Sequence, residues 1–110
     1  MTEPDDGSDV VVEDVPEASR YEAHIGDQLV GFVEYRALTG RITFIHTEVL
    51  PGSEGKGVGG RIARTVLDDA RARGLRVRPL CPFIAAWIRR HPEYADLVVD
   101  APAREVSPSA

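Results

Sequence analysis

His46 and Glu48 stand two residues apart near the end of an apolar stretch running from Ile42 to Val49. An imidazole that titrates near neutrality beside a carboxylate is suited to taking a proton from an incoming nucleophile, directly or through water. The same two residues would serve equally well as a polar patch on a solvated strand face. Cys81 precedes Pro82 at what reads as a helix start, where a thiolate gains from the dipole and from free N–H donors. Packed against Phe83 and Trp87, it would instead be an inert core thiol. Between these residues lies Glu54-Gly55-Lys56-Gly57-Val58-Gly59-Gly60-Arg61. Glycines at a helix start leave amide N–H groups uncovered by side chains, and first-turn donors lack partners inside the helix, so a phosphate or diphosphate can rest there. Lys56, Arg61 and Arg64 supply positive charge. A purely geometric turn is the other reading. His24, His46 and His91 do not have ligand spacing with Cys81, so no metal centre is expected.

Positioning these groups requires a strand, a turn and a helix in succession. Residues 42–49 read as the strand, with Phe44, His46 and Glu48 on one face and Ile45, Thr47 and Val49 on the other. Val58, Ile62, Val66 and Ala70 form one stripe of a helix from about Val58 to Arg73, with Gly74 as its stop. Ahead of the strand, Arg20–Ile25 and Gln28–Arg36 read as a hairpin about Gly26-Asp27, with imperfect alternation in its second arm that predicts a bulge. Val10-Val11-Val12 starts an earlier strand that Asp14 to Glu17 interrupts. Short turns between consecutive strands imply an antiparallel meander, whereas the strand at Leu75–Arg78 follows a helix and should pair in parallel. Pro82 opens a short helix carrying Phe83, Ile84, Trp87 and Ile88, and Pro92 ends it. Tyr94 and Leu97-Val98-Val99 pack back on the sheet edge, and His91 caps or stacks locally. The fold class is α/β (α+β).

One domain fits in 110 residues, and 43% apolar content allows a small core. The net charge of −5 conceals a division, because residues 1–17 hold seven acids and no base. The remainder is mildly basic without a stripe of arginines, so nucleic acid is not expected as a partner. Residues 1–9 read as a disordered acidic leader, 10–99 as the domain and 100–110 as a loose tail. The single cysteine excludes an internal disulfide framework. No apolar leader or membrane-length run is evident, so a cytoplasmic protein, monomeric or weakly dimeric, is the default.

Positions 55, 57 and 60 satisfy G-x-G-x-x-G, but a dinucleotide fold needs more chain and an acid where Arg78-Pro79 stands. No Lys-Ser or Lys-Thr closes a nucleotide triphosphatase loop. The run Glu54 to Gly59 resembles instead the [Gln/Arg]-x-x-Gly-x-[Gly/Ala] pattern of GNAT acyltransferases, with glutamate in the first place. Together with His46-Thr47-Glu48-Val49, Pro79-Leu80-Cys81-Pro82-Phe83 and Arg90-His91-Pro92-Glu93-Tyr94, it is similar to the short, single-domain GNAT-like N-acetyltransferases over about Arg20 to Val99. The resemblance implies a size-reduced GNAT-like domain with a mostly antiparallel sheet and a βαβ acyl-CoA-binding core, using acetyl-CoA. Its diphosphate would rest on amides of residues 55–60, beside Glu54 and Arg61, and its pantetheine arm would run along the strand end at Val49. An unidentified amine would accept the acetyl group, with Glu48 or His46 as base. Cys81 would either protonate the leaving thiolate or carry the acetyl group in a two-step route. A CoA-binding module without turnover is the alternative, and a small interaction protein with a merely structural turn is a third.

Overall fold

A computed structural model describes residues 9–99 of the chain. The elements follow in the order β1 (Val11–Val15), a 3-10 turn (Pro16–Ala18), β2 (Arg20–Ile25), β3 (Gln28–Leu38), β4 (Arg41–Val49), α1 (Val58–Ala72), β5 (Arg76–Pro79), α2 (Pro82–Arg90) and a 3-10 helix (Pro92–Leu97). The strands form one sheet in chain order. The first three pairings are antiparallel, and β4–β5, joined through α1, is parallel. This is a mixed α/β fold with helices packed on a mostly antiparallel sheet. The leader and tail expected at 1–9 and 100–110 fall, Asp9 apart, outside the described residues.

Two bulges set which side chains reach which face. Ala23 opposes Gly31 while His24 opposes Leu29, so Val30 is an extra residue in β3, in the arm where alternation fails. The second bulge was not anticipated. Glu34 opposes His46 while Tyr35 opposes Phe44, which leaves Ile45 as the extra residue of β4. Phe44 is therefore not on the face of His46 and Glu48, as strict alternation predicts. It faces the helices and is fully buried, whereas Ile45 is 42% exposed. A further difference lies in β1, which continues through Asp14-Val15 instead of stopping at Val12, because Asp14 has a partner inside the fold.

That partner is Tyr35, whose hydroxyl donates to Asp14 at 2.5 Å, while Tyr21 donates to Asp69 of α1. Arg73 lies 3.1 Å from Asp69 and 3.8 Å from Asp14, so the C-terminal end of α1 is tied to β1 and β2. The apolar stripe of α1, Val58, Ile62, Ala63, Val66, Leu67 and Ala70, is buried on the sheet face that carries Ala23, Val33 and Phe44. Burial, then the Asp69 hydrogen bond, pushes the Tyr21 phenol above its ordinary range. The same two causes, with Asp14 as partner, push Tyr35 up to about 12. A phenol whose folded-state proton affinity is raised gives stability that is whole below pH 10, its ordinary value, and is lost as pH rises through about 12. Melting temperatures should therefore fall between those limits, and Tyr35→Phe should flatten the fall. Equal slopes for the two proteins would show that Tyr35 does not titrate with unfolding.

Candidate functional site

The site begins where β5 parts from β4. Their pairing ends at Phe44 and Pro79. The chain then turns so that the Cys81 N–H donates to Phe44 O at 2.9 Å, and α2 begins. Beyond Phe44, β4 continues to Val49 with β3 on one side only. Leu50 N–H donates to Val30 O at 2.9 Å. In an antiparallel ladder that bond makes Gly31–Val49 a non-hydrogen-bonded pair and turns the Val49 N–H and C=O away from β3. Thr47, two residues earlier, presents its backbone the same way. An open stretch of strand edge results, with backbone donors and acceptors facing a gap.

The glycine turn stands next to this edge. Gly55 has φ 81° and Gly57 has φ 74°, conformations that side chains with a Cβ rarely adopt. Gly57 is the N-cap of α1, without a side-chain capping bond. A left-handed Gly57 followed by helical Val58 is the alternation that turns successive N–H groups into one concavity fit for an anion. No heavy atom comes within 4 Å of where a Cβ on Gly55 would stand, so the space beside Gly55 is open. Lys56 and Arg61 are exposed beside it, and Glu54 accepts from Gly52 N–H at 2.9 Å, bracing the turn. These residues fit a diphosphate.

Three of the candidates for that ligand have other work. Val58 is buried, with its Cγ1 near Gly31, so only its N–H is available. A Cβ on Gly59 would lie 2.8 Å from Phe83, and one on Gly60 would lie 3.1 Å from Trp87. The glycines of the first helical turn therefore let α2 lie close against α1, and their side-chain positions face aromatic rings. Their N–H groups, in the first turn, still lack intrahelical partners.

The proposed proton-handling groups fall into two sets. His46 Nε2 and Glu48 Oε1 are 3.4 Å apart, and both side chains are about half exposed on the sheet face away from α1. Phe32 lies across from them, its ring centre 6.2 Å from that of His46 and 4.5 Å from the Arg20 guanidinium. Cys81 is on the helix side, 2% exposed, with its Sγ 3.1 Å from Thr47 Oγ1. Cys81 does not meet His46 or Glu48. Thr47 lies between them in sequence and faces Cys81, a neighbour the sequence reading missed. Nothing local in the sequence marks it, because the Ile45 bulge decides its direction. A hollow of about 560 Å³ lined by Tyr35, Leu38 and Ile45 lies at the opposite end of β3 from the glycine turn. Among the described residues, no helix is long and apolar enough to cross a membrane.

Residues 20–97 match the family described as GCN5-related N-acetyl-transferase. No protein with a curated description matches the chain. Among solved structures, the chain is similar to a GCN5-like protein from Staphylococcus aureus, determined in solution by NMR. The two share 21% identity at a TM-score of 0.63, covering 90% of this chain and 99% of that one. At that identity the likeness bears on the fold alone.

Proposed function

The chain belongs to the GCN5-related N-acetyltransferase family, and from that premise we propose that it moves an acetyl group from acetyl-CoA to an amine. Membership supports a general acyl-CoA-binding and acetyltransferase function. The observation that carries the finer reading is the open edge of β4 at Thr47 and Val49, adjoining the uncapped start of α1. A flexible chain with a diphosphate at one end can lie along both.

In this reading the N–H groups of residues 55–60 hold the diphosphate, with Lys56 and Arg61 adding charge. The N–H groups of Thr47 and Val49 are free to hold and polarise a carbonyl along the strand edge. Acetyl-CoA would supply an acetyl thioester held at this edge, where Glu48 and Cys81 stand on opposite faces of the sheet. Glu48, on the open face, takes the proton of an uncharged amine as the N–C bond forms and the C–S bond breaks, with His46 as a relay. Cys81, on the other face, gives its proton to the departing sulfur. It is reprotonated through the Thr47 hydroxyl, while Glu48 returns its proton to water. Direct transfer is the simpler route, since a two-step route needs the Cys81 sulfur itself to bond the acetyl carbon and then release it to the amine.

Release of thiol from acetyl-CoA across a panel of amines tests this reading. Glu48→Gln should lower turnover by about a hundredfold or more, in keeping with removal of a general base, and leave CoA affinity unchanged. Cys81→Ala should lower turnover while binding persists. Binding with no turnover on any amine would instead identify a CoA-binding module, a reading favoured by one observation, the exposure of both His46 and Glu48.

A further inference from the structure

Phe83, Trp87 and Arg90 recur at helical spacing on the side of α2 that meets the start of α1. Trp87 lies on Gly60, and Arg64 follows one turn later on the same side of α1. The guanidinium of Arg64 is 5.9 Å from the Trp87 ring centre, and that of Arg90 is 6.0 Å from it. The two cations are thus at most twice that distance apart and flank one indole. His91 stacks on the same indole, at 3.9 Å and 15°. The His91 ring is fixed in turn by a 2.9 Å contact between its Nδ1 and Trp87 O. Among the described residues, no carboxylate lies within ion-pair distance of Arg64 or Arg90. The Trp87 Nε1–H is buried and has no acceptor. A buried indole N–H normally finds a partner, so this one is short of an oxygen.

Two exposed arginines without an ion-pair partner among the described residues, set about an aromatic stack, make up a site for a phosphate monoester carried on a ring. Its place relative to the glycine turn narrows the ligand. Arg64 is six residues beyond Val58, about 9 Å along α1. Side chains on a helix lean toward its N-terminus, so the guanidinium comes closer to the turn than its Cα does. A second phosphate a few ångströms from the diphosphate is what a 3′-phosphorylated adenosine diphosphate presents.

The geometry points to Arg64 and Arg90, which flank Trp87, as the site that takes the 3′-phosphate of CoA and selects the phosphorylated cofactor over its dephosphorylated form. This assignment rests on the CoA reading of the glycine turn. It adds a specificity that the family pattern at residues 54–59 does not contain. Arg64 and Arg90 are exposed, so replacing them leaves the core intact.

Calorimetry with CoA and with dephospho-CoA tests the assignment. The unaltered protein should bind CoA about tenfold or more tightly, the worth of one or two charge-assisted hydrogen bonds at an exposed site. An Arg64→Ala, Arg90→Ala double variant should bind both forms equally, at the affinity that the unaltered protein has for dephospho-CoA. Arg89→Ala removes the same charge from the same helix and should keep the preference. Trp87 is the single tryptophan, so its fluorescence should change on addition of 3′,5′-ADP to the unaltered protein and not to the double variant. Equal affinity of the unaltered protein for both cofactors would overturn the 3′-phosphate site and leave CoA binding standing. Absence of binding to either would remove the CoA reading and this one with it.

Discussion

Gly57→Val should abolish measurable CoA binding in a protein that still folds. Gly57 has φ 74° at the N-cap of α1, and its backbone orients the N–H groups that follow. A β-branched residue there either stays left-handed, at about 1–2 kcal/mol of strain, or rotates the peptide and breaks the concavity. Losing two charge-assisted N–H contacts to a diphosphate costs about 3–6 kcal/mol, more than a hundredfold in affinity. The matched control is Gly26→Val, because Gly26 has φ 59° and nothing within 4 Å of a Cβ position. It carries the same kind of strain outside the proposed cradle and should leave affinity near that of the unaltered protein. Calorimetry with circular dichroism on the same samples separates folding from binding. Undiminished affinity in folded Gly57→Val would move the diphosphate away from the turn.

Much of the fold is legible because local signals agree. The α1 stripe, Gly74 after it, the Gly26-Asp27 turn and the prolines at 82 and 92 each specify one boundary, and the observed elements follow them. The parallel β4–β5 pairing follows from the intervening helix. What is illegible comes from pairing between strands. The Ile45 bulge leaves no mark in Ile42–Val49, which alternates acceptably, yet it reverses the face of Phe44 relative to His46 and Glu48. Asp14 looks like an interruption until the Tyr35 hydroxyl, 21 residues away, is seen to donate to it.

The candidate site divides along the same line. The glycine turn is readable because positive φ values demand glycine in sequence, at 55 and 57. Gly59 and Gly60 look like part of the same run, but what they face is α2, which only the packed structure reveals. Cys81 is correctly read as a helix start, and its burial depends on Thr47 and on the α1–α2 contact, neither of which is local. His46 and Glu48 are adjacent as the spacing implies. Their separation from Cys81 onto the opposite face follows from the sheet itself.

Gly31 shows how much of the site depends on a residue with no chemistry of its own. A lone glycine inside a strand is a signal of close backbone approach, and here the approach is severe. A Cβ on Gly31 would stand 2.8 Å from Glu48 O, 3.1 Å from Ile62 Cδ1 and 3.1 Å from Val58 Cγ1. The two side chains can give by a few tenths of an ångström, but the carbonyl belongs to the β3–β4 ladder and cannot. Gly31→Ala should therefore destabilise the protein by about 3 kcal/mol, the upper part of the range for overpacking. In a domain of this size that lowers the melting temperature by more than about 10 °C. The strain has a direction, because relief requires moving the end of β4 or the start of α1, the two elements that form the proposed cleft. CoA affinity should fall together with stability, unlike in Gly57→Val, where affinity falls far more than stability. Gly40→Ala is the comparison, since Gly40 has φ 72° and nothing within 4 Å of a Cβ position, so its cost is backbone strain alone, about 1–2 kcal/mol. Thermal melts of the two variants decide the point. If Gly31→Ala melts within a few degrees of the unaltered protein, β3 and β4 have room that this geometry denies them.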